Sequence, residues 1–545
     1  MSGNDPMIEK ASVKRANGRF LSGVAVLTVS TLIVKVIGLL YKIPMMKVLG
    51  EEGMGYFNSA YELYTFFYII ATAGLPVAIS IMVARSIEKG NHANVKKIYN
   101  VVLALLLLIG MIGTVVLYYG SSFFGALIGN ADAVACIAAI SPMALFICVS
   151  SAVRGYFQGH QNMRPTAISQ IIEALGKLLL GLVFAIWAVK EGYNLPTSAA
   201  FATAGITIGV GLSMLYLLLS KLLFKSRSES LDTTTDSSKS ILTTLIKISV
   251  PITLSSLVIS LTRVIDLVMI MRRLQAIGYT SGAANAIYGS YSTLAVSMFN
   301  LPAAFVTPVA ISLVPVLASA IQSSQRAREH RVLNLSLRLC GLIALPASLG
   351  LSIFSRPILE LVFAGEQSAI NIAAPLLSVL AMSVFFSCLM SVTNSILQAY
   401  GMENKPIVSM LAGSVVKVIF SYVLIGIPSI NIYGAPISTF FCALTVSLIN
   451  LHYIRKATGE LDGAVILFFK PLLASVMAIG GCGAAYYLTV SAIGKSYALT
   501  LAAIFIAVVL YGLCVLKTKA IDSRDILMLP MGEKIDKLLR KVKLL

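Results

Sequence analysis

The stretch Val101–Tyr118 reads VVLALLLLIGMIGTVVLY and carries no charge. An apolar run of that length forms a helix about 27 Å long, close to the hydrocarbon thickness of a bilayer. Leu499–Val515 (LTLAAIFIAVVLYGLCV) is a second such run. Neither alternates apolar and polar residues at every second position, as a membrane barrel strand would. In lipid the backbone must satisfy its own hydrogen bonds, so helices remain. The rest of the chain agrees: of 545 residues, 57% are hydrophobic and 12% charged, more apolar surface than a soluble domain can hide.

Working outward, fourteen apolar spans are predicted, near 21–49, 56–84, 98–119, 133–157, 166–189, 197–223, 243–272, 284–320, 334–354, 370–400, 407–427, 434–454, 464–490 and 496–516. The expected fold class is an all-α polytopic membrane protein. Residues 1–20 are polar and basic and precede a long apolar run, which reads as a cytoplasmic tail before an uncleaved first span. An even number of spans returns the C-terminus to the same side. On that topology the outer loops hold only Lys47, Lys190, Arg272, Arg273, Arg356 and Lys495 out of 42 Lys and Arg residues, as the positive-inside rule requires. Arg272–Arg273 is the one clear breach. The net charge of +19 is thus explained by orientation in the membrane, and no nucleic-acid partner is expected. Seven cysteines (Cys136, Cys148, Cys340, Cys388, Cys442, Cys482 and Cys514) lie in or beside apolar runs with no CxxC pair. Neither a disulfide framework nor a metal site is expected.

The loop KLLFKSRSESLDTTTDSSKS (Lys221–Ser240) is charged and Ser/Thr-rich, and reads as a linker between two halves. An internal repeat supports that division. STLIVKVIGLLYKIPMMKVLG from Ser30 is similar to SSLVISLTRVIDLVMIMRRLQ from Ser255. PVAIS occurs at Pro76–Ser80 and again at Pro308–Ser312, and QGHQNMRP (Gln158–Pro165) has a counterpart in QAYGMENKP (Gln398–Pro406). An even number of spans separates the copies, so both halves point the same way, a parallel repeat. The expected organisation is a cytoplasmic tail (1–20), a first six-helix lobe (21–224), a cytoplasmic linker (225–242), a second six-helix lobe (243–455), two appended helices (464–516) and a second cytoplasmic tail (517–545).

Charges inside the spans are expensive, about 2.5–3.5 kcal/mol each at the helix centre on insertion scales, and usually face a cavity. Lys35 and Lys42 lie two turns apart on one face of the first span, with Pro44 two residues on as a candidate hinge. Arg263 in span seven occupies the repeat position of Gly38, with Asp266 three residues further along. These cations are candidates to line a cavity between the lobes and hold an anion; Arg offers phosphate a bidentate fork and Lys a point charge. The alternatives are snorkelling to an interface or pairing within the bundle. Asp266 either neutralises Arg263 or binds a coupling Na⁺ or proton, and Glu62 in span two is a second candidate for the coupling role. Arg85, at the cytoplasmic end of span two, is a candidate for a lipid phosphate or headgroup. Glu173 and Lys177 stand at i,i+4 in the favourable order and read as a local ion pair. Tyr61, Tyr64 and Tyr68 form a stripe in span two that would either pack or stack on sugar rings. Pro302, Pro308 and Pro315 imply a kinked span eight.

The segments VKVIGLLYKIPMMKVLG, GLPVAISIMVAR and, most specifically, RGYFQGHQNMRPTAISQIIE (Arg154–Glu173) resemble the SpoVB/MurJ-type branch of the multidrug/oligosaccharidyl-lipid/polysaccharide (MOP) exporter superfamily, along nearly the whole chain. The resemblance implies export of lipid II, an undecaprenyl-pyrophosphate glycan, by alternating access. It implies that cavity cations hold the pyrophosphate, here Lys35, Lys42, Arg263 and Arg85, and that the last two spans form a groove for the lipid tail. Lys35 matches the first basic position of the family's first span. The second is replaced by Tyr41, with Lys42 beside it, and Tyr68 stands near the basic position expected in span two. Tyr41, Tyr61 and Tyr68 are therefore the sugar-contact candidates.

The expectation is a non-enzymatic flippase of the bacterial plasma membrane with both termini cytoplasmic. It needs no cofactor beyond a coupling Na⁺ or H⁺ and the membrane potential. Its expected partners are a lipid-linked oligosaccharide, membrane lipids and the cell-wall synthesis machinery, with the protein itself a monomer. Flipping of another undecaprenyl-pyrophosphate glycan is one alternative. Another is a multidrug/cation antiporter, which would want an acidic cavity. A membrane-embedded glycan polymerase would need a sizeable outer loop, whereas the outer loops here are short and His92, His160, His330 and His452 all fall on the cytoplasmic side. No Walker motif is present, so direct ATP drive is not expected.

Overall fold

The structure is a computed structural model that describes residues 6–224, 234–323, 325–459, 463, 465–518 and 520. The tail and linker positions 1–5, 225–233 and 521–545 lie outside the described residues. Among those described, the chain is built of helices with no strand. Twelve of these helices are long and apolar enough to cross a membrane. The difference from fourteen has a plain origin. The first two predicted spans run together as Val29–Glu88, and the eighth, near 284–320, is not among the twelve.

The chain divides into two compact units, residues 1–272 with 280–289, and residues 273–279 with 290–545. Most of the seventh span, up to Arg272, groups with the first unit.

In the first unit α1 runs Pro6–Thr72 but is broken at Gly50, whose φ of 66° and ψ of −176° are not helical. Only glycine takes that conformation cheaply. The break falls between the first two predicted spans. α2 (Leu75–Glu88) begins with Pro76 in its first turn, where the missing N–H costs nothing. α3 (His92–Tyr119) is capped by Asn91, whose side chain accepts from Asn94 N at 2.8 Å. The end of the linker docks here. Asn94 Nδ2 donates to Asp236 Oδ2 at 2.8 Å and Asp236 N donates to Asn94 Oδ1 at 3.0 Å. Two short helices, α4 (Ser121–Ile128) and α5 (Val134–Ile140), lead to α6 (Met143–Gly159), which is buried along nearly its whole length. α6 packs against α2, α3 and α8, with α7 (Arg164–Lys190) and α8 (Leu195–Leu223) lying along each other. Glycines set that spacing: a Cβ on Gly205 would stand 2.5 Å from the backbone N of Gly181, and one on Gly176 2.5 Å from the Cα of Gly209. Small residues let membrane helices approach closely enough for backbone contact. α9 (Ser238–Ala276) approaches the α1–α2 turn, where a Cβ on Gly74 would meet the carbonyl of Ser249 at 2.2 Å.

After α10 (Ser281–Ser290) and a π-helical turn at Tyr291–Ala295, the second unit continues with α11 (Val296–Gln322), the helix that carries Pro302, Pro308 and Pro315. α12 (Arg326–Ile353), α13 (Ser355–Val362), α14 (Gln367–Ala399), α15 (Asn404–Ile425) and α16 (Gly434–Thr458) follow. Leu333, Leu337, Cys388 and Val392 form the centre of one apolar core here. The appended pair comprises α17 (Lys470–Ser475), a π turn, α18 (Gly481–Ile493) and α19 (Tyr497–Lys517). It packs on α12 through Tyr511 Oη to Leu342 O at 2.8 Å and Tyr487 Oη to Ile353 O at 2.8 Å.

Candidate functional site

The first unit contains a cavity of about 330 Å³ enclosed by α1, α7 and α8. Its shape follows from the ring-bearing stripe of α1. Tyr41, Phe57, Tyr61, Tyr64 and Tyr68 form a continuous chain of aromatic contacts with successive centroids 5.3–5.9 Å apart. The hydroxyl-bearing rings among them, with Lys35, Gly38, Gln170, Glu173 and Lys177, line the cavity. Gly38 adds no side chain, and nothing lies within 4 Å of where its Cβ would be, so the cavity stays open on that side.

The charges are arranged differently from the local pairing read in the sequence. Glu173 does not pair with Lys177. Its Oε2 accepts from Arg154 at 3.0 Å across the α6–α7 hairpin, and its Oε1 accepts from the Tyr64 hydroxyl at 3.4 Å. Arg154 is 4% exposed and also donates to Ser169 Oγ at 3.1 Å and to Ser213 Oγ at 3.4 Å. A buried guanidinium needs such saturation, because an unsatisfied one costs several kcal/mol. Lys177, one turn beyond Glu173, lies over aromatic faces instead. Its ammonium is 3.8 Å from the Tyr61 centroid and 5.2 Å from that of Tyr41. Among the described residues that line the cavity, Glu173 is the one carboxylate, and Arg154 neutralises it.

Of the residues singled out in the sequence, Lys35 lines the cavity and is exposed to it. Lys42 is half-buried and does not line it, although it interacts electrostatically with Lys177, Glu62 and Arg263. Arg263 is exposed and Asp266 half-buried on α9, within the same unit. Arg85 is exposed in the last turn of α2 and is not a lining residue. The sugar-contact candidates divide. Tyr68 and Tyr61 are half-buried, but one face of Tyr61 is covered by Lys177. Tyr41 is 1% exposed, and its hydroxyl is buried without a hydrogen-bond partner. Sequence reasoning missed the Arg154–Glu173 pair. A signal was present: Arg154 and Ser169 lie equally far from the turn at 160–163, so an antiparallel hairpin brings them level, and an arginine reaches one turn further to Glu173.

Comparison with known proteins agrees with this architecture. The sequence profile of the polysaccharide biosynthesis protein family matches residues 20–321, more than half of the chain, and the MatE profile matches residues 251–423. The uncharacterized membrane protein YabM of Bacillus subtilis (strain 168) is 25% identical over 533 residues, covering 95% of this chain and 96% of YabM. Lipid II flippase MurJ of the same organism is 26% identical over 460 residues, covering 81% and 84%. A solved structure of lipid II flippase MurJ in an inward closed conformation superposes with a TM-score of 0.68 at 17% identity, covering 90% of this chain and 97% of that one. The chain therefore belongs to the polysaccharide biosynthesis protein family.

Proposed function

We propose that this protein carries a lipid-linked, pyrophosphate-bearing glycan, with lipid II as the first candidate, from the cytoplasmic to the outer leaflet of the plasma membrane by alternating access. The observation that carries the reading is the charge of the first unit's cavity. Lys35 and Lys177 line it, and its carboxylate is held by Arg154 at 3.0 Å. Such a lining attracts an anion and gives a cationic drug no free negative partner, which argues against the multidrug reading. Ligand pockets of this kind begin at about 300 Å³, enough for a headgroup's phosphates and first sugar while the lipid tail stays in the membrane. Lys42 interacts electrostatically with Lys177, Glu62 and Arg263. With both termini cytoplasmic, outward movement of the anionic headgroup runs down an inside-negative membrane potential, gaining about 2.3 kcal/mol per charge per 100 mV. A coupling Na⁺ or proton would act at Asp266 or Glu62 to reset the carrier.

The test is rescue of a bacterial strain depleted of its own lipid II flippase, combined with transport of fluorescent lipid II by the purified protein in liposomes. Rescue together with transport is expected. Transport of a different undecaprenyl-pyrophosphate glycan with none of lipid II would reassign the cargo. Transport of neither, with resistance to cationic drugs on overexpression, would overturn the reading.

A further inference from the structure

We infer that Lys177 is the exchangeable phosphate-gripping cation of this cavity. It leaves its tyrosine cage for the ligand's pyrophosphate and thereby uncovers the Tyr61 ring for the adjoining sugar. The inference rests on the anionic-lipid reading given above and assigns a role to a residue outside the basic positions of the first span.

The argument begins with what Lys177 lacks. An ammonium in a membrane helix ordinarily finds a carboxylate, and the nearest along its own helix is Glu173. That carboxylate is committed to Arg154 at 3.0 Å and to the Tyr64 hydroxyl at 3.4 Å. Among the described residues no carboxylate oxygen lies within ion-pair distance of Lys177 Nζ. The faces of Tyr61 and Tyr41, at 3.8 and 5.2 Å, hold it instead. Cation–π attraction is worth about 0.5–2 kcal/mol, whereas a charge-assisted bond to phosphate is among the stronger polar contacts available. The cage is therefore a holding position from which an entering phosphate can draw the side chain.

Two further atoms point the same way. The Tyr41 hydroxyl, on a side chain 1% exposed, and Gln170 Oε1 are both buried with no hydrogen-bond partner, and both residues line this cavity. One is a donor suited to a phosphate oxygen, the other an acceptor suited to a sugar hydroxyl or amide N–H. Buried polar groups seldom go unpaired. A phosphate joined to a pyranose carries an acceptor and a donor of the kinds these two atoms lack, matches the ammonium, and presents a ring to Tyr61 once Lys177 has moved. A purely structural cation–π contact would account for the lysine but not for the two orphaned atoms on residues that line the same cavity.

The experiment measures binding to the full-length protein in nanodiscs, using undecaprenyl-pyrophosphate, lipid II and uncharged undecaprenol. Lys177→Met should weaken both phosphorylated lipids about tenfold or more and leave undecaprenol unchanged. Lys177→Arg should retain most of the affinity for undecaprenyl-pyrophosphate. Tyr61→Leu should weaken lipid II selectively, because only lipid II carries the sugar. If Lys177→Met binds both phosphorylated lipids as wild type does, the role of Lys177 is refuted while the transport reading stands. If the wild type prefers neither phosphorylated lipid to undecaprenol, the transport reading falls and this inference with it. Should Lys177→Met fail to fold, Tyr61→Leu decides: equal losses for both phosphorylated lipids, or no loss, would refute the exchange.

Discussion

The guanidinium of Arg154 and the carboxylate of Glu173 meet at 3.0 Å between α6 and α7, and that contact determines the charge of the whole cavity. It removes the one lining carboxylate from competition and leaves Lys177 to the tyrosines. A cavity that reads as a balanced i,i+4 pair in the sequence is thereby cationic.

Breaking this pair from one side should be costly. Removing one member of a buried ion pair typically destabilises by about 3–5 kcal/mol, because the other charge is left in a dry site. Glu173→Leu, which leaves the Arg154 guanidinium without a carboxylate, is expected to lower the thermal unfolding midpoint in detergent sharply, and Arg154→Leu less so, because Glu173 can turn to Lys177; the double variant should be less affected than the sum of the two. Additive single losses would show that the charges are not coupled.

Arg154→Leu has a second expected outcome. Glu173 is then released to the ammonium one turn along its helix, and Lys177 gains the partner it lacks. Affinity for undecaprenyl-pyrophosphate should fall about tenfold even though Arg154 itself does not line the cavity. Restoring affinity with the added change Glu173→Gln would identify the released carboxylate as the cause.

Lys35 and Arg263 stand at repeat-related stretches of α1 and α9, within one unit. Lys35→Ala combined with Arg263→Ala is expected to reduce lipid II transport about tenfold or more in liposomes, with little change in folding, since both side chains are exposed. Normal transport by the double variant would remove these two residues from the site.

Much of the fold was readable in advance because its cause is local: long apolar runs force helices in lipid, and charge bias orients them. The predicted spans near 21–49 and 56–84 fall on either side of Gly50, where the positive φ breaks the helix. The site was readable only in part. Lys35 and the tyrosine stripe were recognised, because spacing along one helix places them on a common face. Glu173 was assigned to Lys177 because the i,i+4 rule sees only one helix, worth about 0.2–0.5 kcal/mol on an exposed surface. A buried arginine from the preceding helix outcompetes it. Lys42 and Arg263 do not line the cavity, a placement that depends on helix rotation and not on sequence spacing.

The close contact of α7 with α8 holds Lys177 and Gln170 at their stations, and it offers a test through the backbone. A Cβ on Gly205 would fall 2.5 Å from the carbonyl carbon of Leu180, with no flexible side chain to give way. Overpacking of this kind costs about 1–3 kcal/mol or more. Gly205→Val should lower the unfolding midpoint and, by moving α7, reduce ligand affinity as well. Gly38→Ala, where nothing lies within 4 Å of the new methyl, is the control and should leave stability unchanged. Equal effects of the two on the unfolding midpoint would refute the claim that the α7–α8 approach is tight enough to shape the site.

A last prediction concerns pH and the second unit. Glu360 in α13, between two spans, accepts from Arg356 Nε at 2.9 Å and from Lys495 Nζ at 3.1 Å. It thereby ties α13 to the loop between α18 and α19. Partial burial opposes ionisation of its carboxyl, but the hydrogen bonds and charges of Arg356 and Lys495 outweigh that and hold it below the usual carboxylate range. A depressed folded-state pKa means that the stabilisation is complete above the ordinary glutamate value of about 4.3 and is lost as pH falls through the depressed value. Lys495 and Arg356 are largely exposed, so the effect is expected to be modest and weakened by salt. Glu360→Gln should lower the unfolding midpoint near neutral pH, and the gap between variant and wild type should close as the pH falls through that depressed value. A gap that stays constant with pH would mean that the carboxylate contributes packing and not charge, and would remove this tie from the forces that hold the appended helices in place.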